Sequence, residues 1–398
     1  MAVIPIDEPR LKPNKPVRGF ALFALGFRPF YLLGATLAAL FVPLWLMIAL
    51  GGPAFSPALP ALFWHAHEMI FGFATAIIVG FLLTAARNWT GLATPTGGKL
   101  AALVGVWLAG RIAMLCLPAL AAAVIDLAFL PLAALVLARV LIRAGSRRNY
   151  FVLLILALLS VSNLLFHAAA NAWLALPVLN TLHAAVALIA TLATVIAGRI
   201  VPSFTANALK TVPRQSALLD RLAIGSTALT LLLWACGVSG IVVALISVLA
   251  AASQAWRSLG WRPGPTWRVP LLWILHISHA WLVLALLAAA SAALGLPGSA
   301  AVLHLLTVGM ISGLILGMIT RTALGHTGRL LRAGYIEAAA YSLLQLAVLA
   351  RILPVLMAPD WYRAGLMLAG TAWSLAFGLY LVRYAPILIQ PRIDGREG

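Results

Sequence analysis

Residues 61–86 read ALFWHAHEMIFGFATAIIVGFLLTAA, 26 positions of which one, Glu68, is formally charged. About 20 mostly apolar residues let an α-helix cross the hydrocarbon core of a bilayer, so this stretch reads as a membrane span with two histidines and an acid near its start. Eleven further windows of that kind occur, at 29–50, 98–117, 119–142, 149–170, 179–200, 217–236, 238–256, 269–294, 299–322, 334–354 and 363–385. They are continuous in Leu, Ala, Val and Ile, whereas a membrane β-barrel shows short alternating segments. The expected fold is all-α: a polytopic membrane protein of 12 transmembrane helices, one integral domain over 1–398.

Composition agrees. Hydrophobic residues make up 63% of the 398 positions and charged residues 9%, against roughly 25% charged in an ordinary soluble protein. A water-facing surface cannot be assembled from so few charges, which excludes soluble folds, and disorder needs low hydrophobicity. The balance of 27 Lys and Arg against 9 Asp and Glu, formally +18, suggests nucleic acid in a soluble chain. Here, with Trp256–Trp267 lying between two apolar spans, the cations are read as topology signals, and no nucleic-acid partner is expected. The N-terminal segment lacks a short apolar region followed by a small-residue cleavage site, so no removable signal peptide is expected.

The cations test the span count. With the N-terminus in the cytoplasm, every Lys and Arg except Arg111, Arg351 and Arg363 falls on a cytoplasmic segment. A miscounted span would invert all later loops and destroy that alternation. Both termini are therefore expected in the cytoplasm.

Spans 2 and 10 share a pattern. His67, Gly72, Ile78, Gly80, Thr90 and Gly91 match His304, Gly309, Ile315, Gly317, Thr327 and Gly328, each pair 237 apart. Arg111-Ile112 and Arg351-Ile352 are 240 apart, and His183 opens span 6 between the two histidines of the first pair. The offsets suggest three pseudo-equivalent four-helix units, 19–148, 149–268 and 269–385, the middle one most diverged. Coincidence in Gly- and Ile-rich sequence is the competing explanation, and small residues at these positions also favour close helix packing.

The expected topology gives the eight histidines a depth. His65 and His67 on span 2, His167 on span 5, His183 on span 6 and His304 on span 10 gather in the outer leaflet. His276 and His279 lie in the inner half of span 9, and His326 in a cytoplasmic loop. Ionisable groups within a bilayer are expensive and default to functional candidates. The outer five offer neutral imidazole nitrogens to haem iron or copper, and equally to zinc; the bland alternative is an interhelical hydrogen bond. His65 and His67, two apart, face differently on a regular helix, so one metal does not take both. Glu68 has three readings: a carboxylate orienting an imidazole, a proton donor, or an interfacial acid. Asn163 and Ser160 make a polar stripe with His167, as packing or as cavity lining. Arg111 and Arg351 suit haem propionates; the alternatives are pairing of Arg111 with Asp126 and snorkelling of Arg351. His276 and His279 form a second candidate site or a structural pair. Cys116 and Cys236 form no CxxC motif and are expected as buried thiols, a disulfide being the other reading.

Gly26-Phe27-Arg28-Pro29-Phe30, Trp64-His65-Ala66-His67-Glu68-Met69, Asn88-Trp89-Thr90-Gly91, Gly198-Arg199-Ile200-Val201-Pro202 and His304-Leu305-Leu306-Thr307-Val308-Gly309 resemble the NnrS family across essentially the whole chain. That resemblance implies a bacterial inner-membrane protein containing haem b and copper, linked to denitrification and nitric-oxide tolerance. A fainter similarity is to the haem-copper oxidase catalytic subunit, with departures: span 7 has no histidine and span 10 has one, so oxygen reduction with proton pumping is not expected.

The expected function is binding or turnover of nitric oxide at an outer-leaflet metal centre in the lipid bilayer. His67 and His304 are its repeat-related haem ligands. His65, His167 and His183 are further haem or copper ligands, Glu68 is a proton relay, and the electron donor is unknown. The enzymatic version is an oxidoreductase acting on nitric oxide. A secondary transporter and a non-catalytic redox sensor are the rivals; a transporter site usually sits near the midplane on broken helices, whereas these polar groups crowd one leaflet.

Overall fold

The computed structural model describes residues 19–51 and 59–396. The cations Arg10, Lys12, Lys15 and Arg18 lie outside them. Twelve helices among the described residues are long and apolar enough to cross a membrane: α1 Phe27–Ala49, α2 Ala61–Thr90, α3 Gly97–Cys116, α4 Ala119–Arg143, α5 Arg147–Ala170, α6 Val178–Leu209, α7 Ala217–Ala235, α8 Ile241–Gly260, α9 Pro270–Ala293, α10 Ala300–His326, α11 Tyr335–Met357 and α12 Pro359–Ile389. No strand occurs among the described residues. All twelve sit on the windows read from hydropathy. The largest difference is at a helix end, where α6 continues through Pro202 to Leu209. His326, expected in a loop, occupies the last turn of α10, its ring 5.6 Å from that of Phe27.

Burial sorts the helices into layers. In α2 and α10, 83% and 72% of the most apolar window is buried, against 28% in α1 and α7. These two are the central helices, and α6 meets both. α12 packs along both α11 and α1, so the last helix lies beside the first. The outward faces carry exposed Leu, Ile and Val, among them Leu135, Leu154 and Leu245, as lipid-facing surfaces must.

Both central helices are irregular at equivalent places. Immediately after His67, residues Glu68–Ala74 form a π-helical segment, and immediately after His304 so do Leu305–Ile311. The two segments are separated by the same 237 positions as the matched sequence pairs. A π turn loosens the carbonyl ladder and re-aims the side chains around it, and the loosened carbonyls need donors. In α2 the Trp107 indole Nε1 donates to Gly72 O at 3.0 Å; in α10 the Ser312 hydroxyl donates to Thr307 O at 2.7 Å.

The cysteines correct an expectation. Cys116 and Cys236 are free and both exposed, being the last residue of α3 and the first residue beyond α7, where the chain leaves the packed interior.

Candidate functional site

The regular first turns of α2 end at His67. Two residues apart, His65 and His67 project to different sides of the helix and enter different surroundings.

His67 is fully buried and sits in a network drawn from four helices. Its Nδ1 lies 3.1 Å from Glu68 Oε1, and its Nε2 lies 3.1 Å from both Asp126 Oδ2 on α4 and Asn163 Oδ1 on α5. His167 Nε2 reaches the same Asp126 oxygen at 3.0 Å, and the Asn163 amide donates to it at 2.8 Å. Arg111 on α3 donates to Glu68 Oε1 at 2.8 Å and forms an ion pair with Asp126 Oδ1. Phe166 lies over the His67 ring at 4.8 Å, with Phe71 at 5.1 Å. Gly72 leaves room for the Arg111 guanidinium, which a Cβ there would meet at 2.8 Å.

Two carboxylates thus face one guanidinium in a buried setting. When both are ionised the network carries an excess negative charge, and a buried charge needs a partner. A proton or a metal cation meets that need. His67, Asp126 and His167 offer ligand atoms that all lie within 4.8 Å of one another, all three residues being buried. Two imidazole nitrogens and a carboxylate oxygen suit copper or zinc. Glu68 Oε2 is buried without a hydrogen-bond partner.

His65 faces the other way, into a cavity of about 200 Å³ bounded by α1, α2, α6, α10, α11 and α12. Its ring stacks on Trp45 of α1, with centroids 4.1 Å apart and planes at 20°, and its Nδ1 is buried without a partner. His304 and Arg351 line the same cavity. The Arg351 guanidinium lies 5.3 Å from the Tyr362 ring and 3.5 Å from its hydroxyl. The rest of the lining is largely apolar, including Met69, Phe73, Ile189 and Trp373. Ile189 and Ile311 also border a second, smaller cavity of about 90 Å³ lined almost entirely by apolar side chains.

The residues singled out in the sequence therefore divide. His67, Glu68, Arg111 and His167 meet in the network, while His65, His304 and Arg351 meet at the cavity. His67 is not among the residues lining the cavity that His304 lines. His183 joins neither group; its ring stacks on Trp234 of α7 at 4.2 Å. His276 and His279 are buried elsewhere, under Trp261. Sequence reasoning weighed Asp126 only as a partner for Arg111, yet it is the hub of the network. An aspartate within an apolar span is itself the signal that marks it. Trp45 and Tyr362 had no such signal, because aromatics are common near membrane interfaces.

Fold and interior together define a polytopic helical membrane protein with a buried cluster of two histidines and two carboxylates beside a histidine-lined cavity. The NnrS family model, described as NnrS protein, matches residues 21–392, and the chain belongs to this family. Membership supports a role linked to the nitric-oxide response, and the family is known for binding metal. No curated protein matches the chain.

Proposed function

We propose that this is a haem- and copper-binding protein of the bacterial inner membrane that binds or turns over nitric oxide. His65 and His304 would hold haem b at the cavity, and His67, Asp126 and His167 would hold copper. The observation that carries this reading is the division of one helix: α2 sends His65 to the cavity and His67 to the carboxylate network.

The residues fit both groups. Two imidazoles border one cavity and one of them keeps a partnerless nitrogen, which suits ligation of a haem iron. Arg351 on the same wall suits a propionate. The excess negative charge around Asp126 suits a copper cation. When bound, these groups supply affinity for nitric oxide and one-electron chemistry.

The chain's own residues do the rest. Asn163 and Arg111 fix the Asp126 carboxylate, and Phe71 and Phe166 enclose the His67 ring. Glu68 Oε2, buried without a hydrogen-bond partner, is the open acceptor of the network and the atom assigned to the proton relay. Nitric oxide is small, neutral and lipid-soluble and needs no hydrophilic pore.

The cation distribution favours cytoplasmic termini, with both sites in the outer half of the membrane. The equal offset of the two π turns favours the three-unit repeat. The enzymatic form of this reading is an oxidoreductase fed by an electron donor still to be identified. Metal analysis and steady-state nitric-oxide consumption by the purified protein test it. Haem, copper and turnover are expected. Binding without turnover would make the protein a sensor, and absence of both metals would overturn the reading in favour of a transporter.

A further inference from the structure

His276 and His279 stand three apart on α9, remote from both sites above, with 7% and 0% of their surface exposed. Side chains at that spacing share a helix face. Of their four ring nitrogens one is engaged: His276 Nε2 lies 2.9 Å from the Thr205 hydroxyl of α6. His276 Nδ1 is buried with no hydrogen-bond partner, and the equally buried His279 makes no bond of ordinary geometry, only a looser approach to the Gln254 backbone. A neutral imidazole always presents one N–H and one lone pair. An orphaned imidazole in a bilayer-embedded interior is therefore an expensive arrangement unless something else engages it.

The surroundings narrow what that something is. Trp261, almost fully buried, packs at an angle against the pair, its ring centroid 4.6 Å from that of His279 and 6.5 Å from that of His276. The Arg257 guanidinium stands over the same indole at 5.2 Å and is paired with Asp220 at 2.6 Å. The one cluster of three or more His, Cys, Asp or Glu ligands among the described residues is the distant group around His67. Two neutral nitrogens with no anion leave a divalent or hard cation short of ligands and of compensating charge. They suit a soft monovalent ion that accepts two imidazoles.

We propose that His276 Nδ1 and one His279 nitrogen hold a single Cu⁺ beside Trp261. In this assignment His276 Nε2–H donates to Thr205, which leaves the Nδ1 lone pair for the metal, as outer partners of metal-bound histidines do. The site rests on the orphaned nitrogens and not on the assignments made for the cavity or for the Asp126 network.

The test titrates Cu⁺, and separately Ag⁺, into the purified full-length protein under anaerobic conditions against a chromogenic Cu⁺ chelator. Four chains are compared: wild type, His279→Leu, Thr205→Val and His167→Ala. Loss of one equivalent in His279→Leu with the haem spectrum unchanged is expected, as is a roughly 10–100-fold weakening of that equivalent in Thr205→Val. His167→Ala is expected to keep it; loss of a different equivalent there bears only on the Asp126 network. Should His279→Leu not fold, Thr205→Val carries the test. Wild-type stoichiometry and affinity in both His279→Leu and Thr205→Val would overturn the proposal. So would a water bridging the two rings at saturating Cu⁺.

Discussion

The guanidinium of Arg111 occupies the space that Gly72 leaves open: a Cβ at position 72 would stand 2.8 Å from Arg111 Nη1 and 3.0 Å from Glu68 Oε2. The π turn of α2 and the ion-pair network are therefore one construction. Gly72 provides the clearance, Trp107 satisfies its carbonyl, and Arg111 enters between Glu68 and Asp126. Gly72→Ala forces buried polar groups apart, and overpacking of this kind costs about 1–3 kcal/mol. The melting temperature in detergent should fall accordingly. Gly105→Ala, inside α3 where nothing lies within 4 Å, should hold or raise stability, by up to about 1 kcal/mol. Equal effects of the two substitutions would contradict the assignment.

Arg111 and Arg351 are repeat mates by position with different tasks. Arg111→Ala strands two buried carboxylates, and breaking such a pair costs about 3–5 kcal/mol. Arg351 is only half-buried, on the cavity wall beside Tyr362. Arg351→Ala should leave the unfolding temperature nearly unchanged while altering the haem spectrum or potential. Unfolding curves with redox titrations of both variants check the contrast, and a reversed order would refute it.

Cys116 and Cys236 make the topology measurable. Both are free and exposed, and the cation pattern puts both on the outer side. A membrane-impermeant maleimide applied to intact spheroplasts should label the wild type. Cys116→Ser with Cys236→Ser should remove the label. Labelling that appears only after lysis would mean the opposite orientation.

The C-terminal segment is sensitive to acid. Hydrogen bonds from Arg392 hold the Asp394 carboxyl at about 2, below its ordinary value of 3.8. Arg392 also donates to His326 O at 2.9 Å, and Ile393 N donates to Thr327 O at 3.2 Å, docking the segment against the end of α10. Because the folded value is the lower one, Asp394 stabilises docking above the ordinary carboxylate range. That contribution is lost as pH falls toward about 2. Protection of the Ile393 amide from hydrogen exchange should therefore drop over that range. In Asp394→Asn it should be low and independent of pH; an unchanged profile would contradict the pairing.

Much of the architecture was legible because the bilayer imposes a length and an apolarity that every span must meet. All twelve windows became helices, and the alternative pairing of Arg111 with Asp126 was visible as two opposite charges in adjoining apolar spans. The division of labour on α2 was harder to read. The offset of 237 joins His67 to His304, but it is His65 that shares the cavity with His304. Alternate facing of residues two apart was expected, yet which face met which neighbour depended on where α1, α4, α5 and α10 packed. The π turns were also hidden, because no sequence period marks an extra residue in a helical turn. The exposed cysteines were misread because hydropathy does not distinguish a helix end inside the bundle from one at its edge.

The most direct test of the central claim is a reduced-minus-oxidised spectrum with metal analysis on four purified variants. His65→Ala and His304→Ala should each abolish the same haem absorption band while copper remains. His67→Ala and His167→Ala should keep that band and lose copper. A haem band that survives in both His65→Ala and His304→Ala would contradict the account.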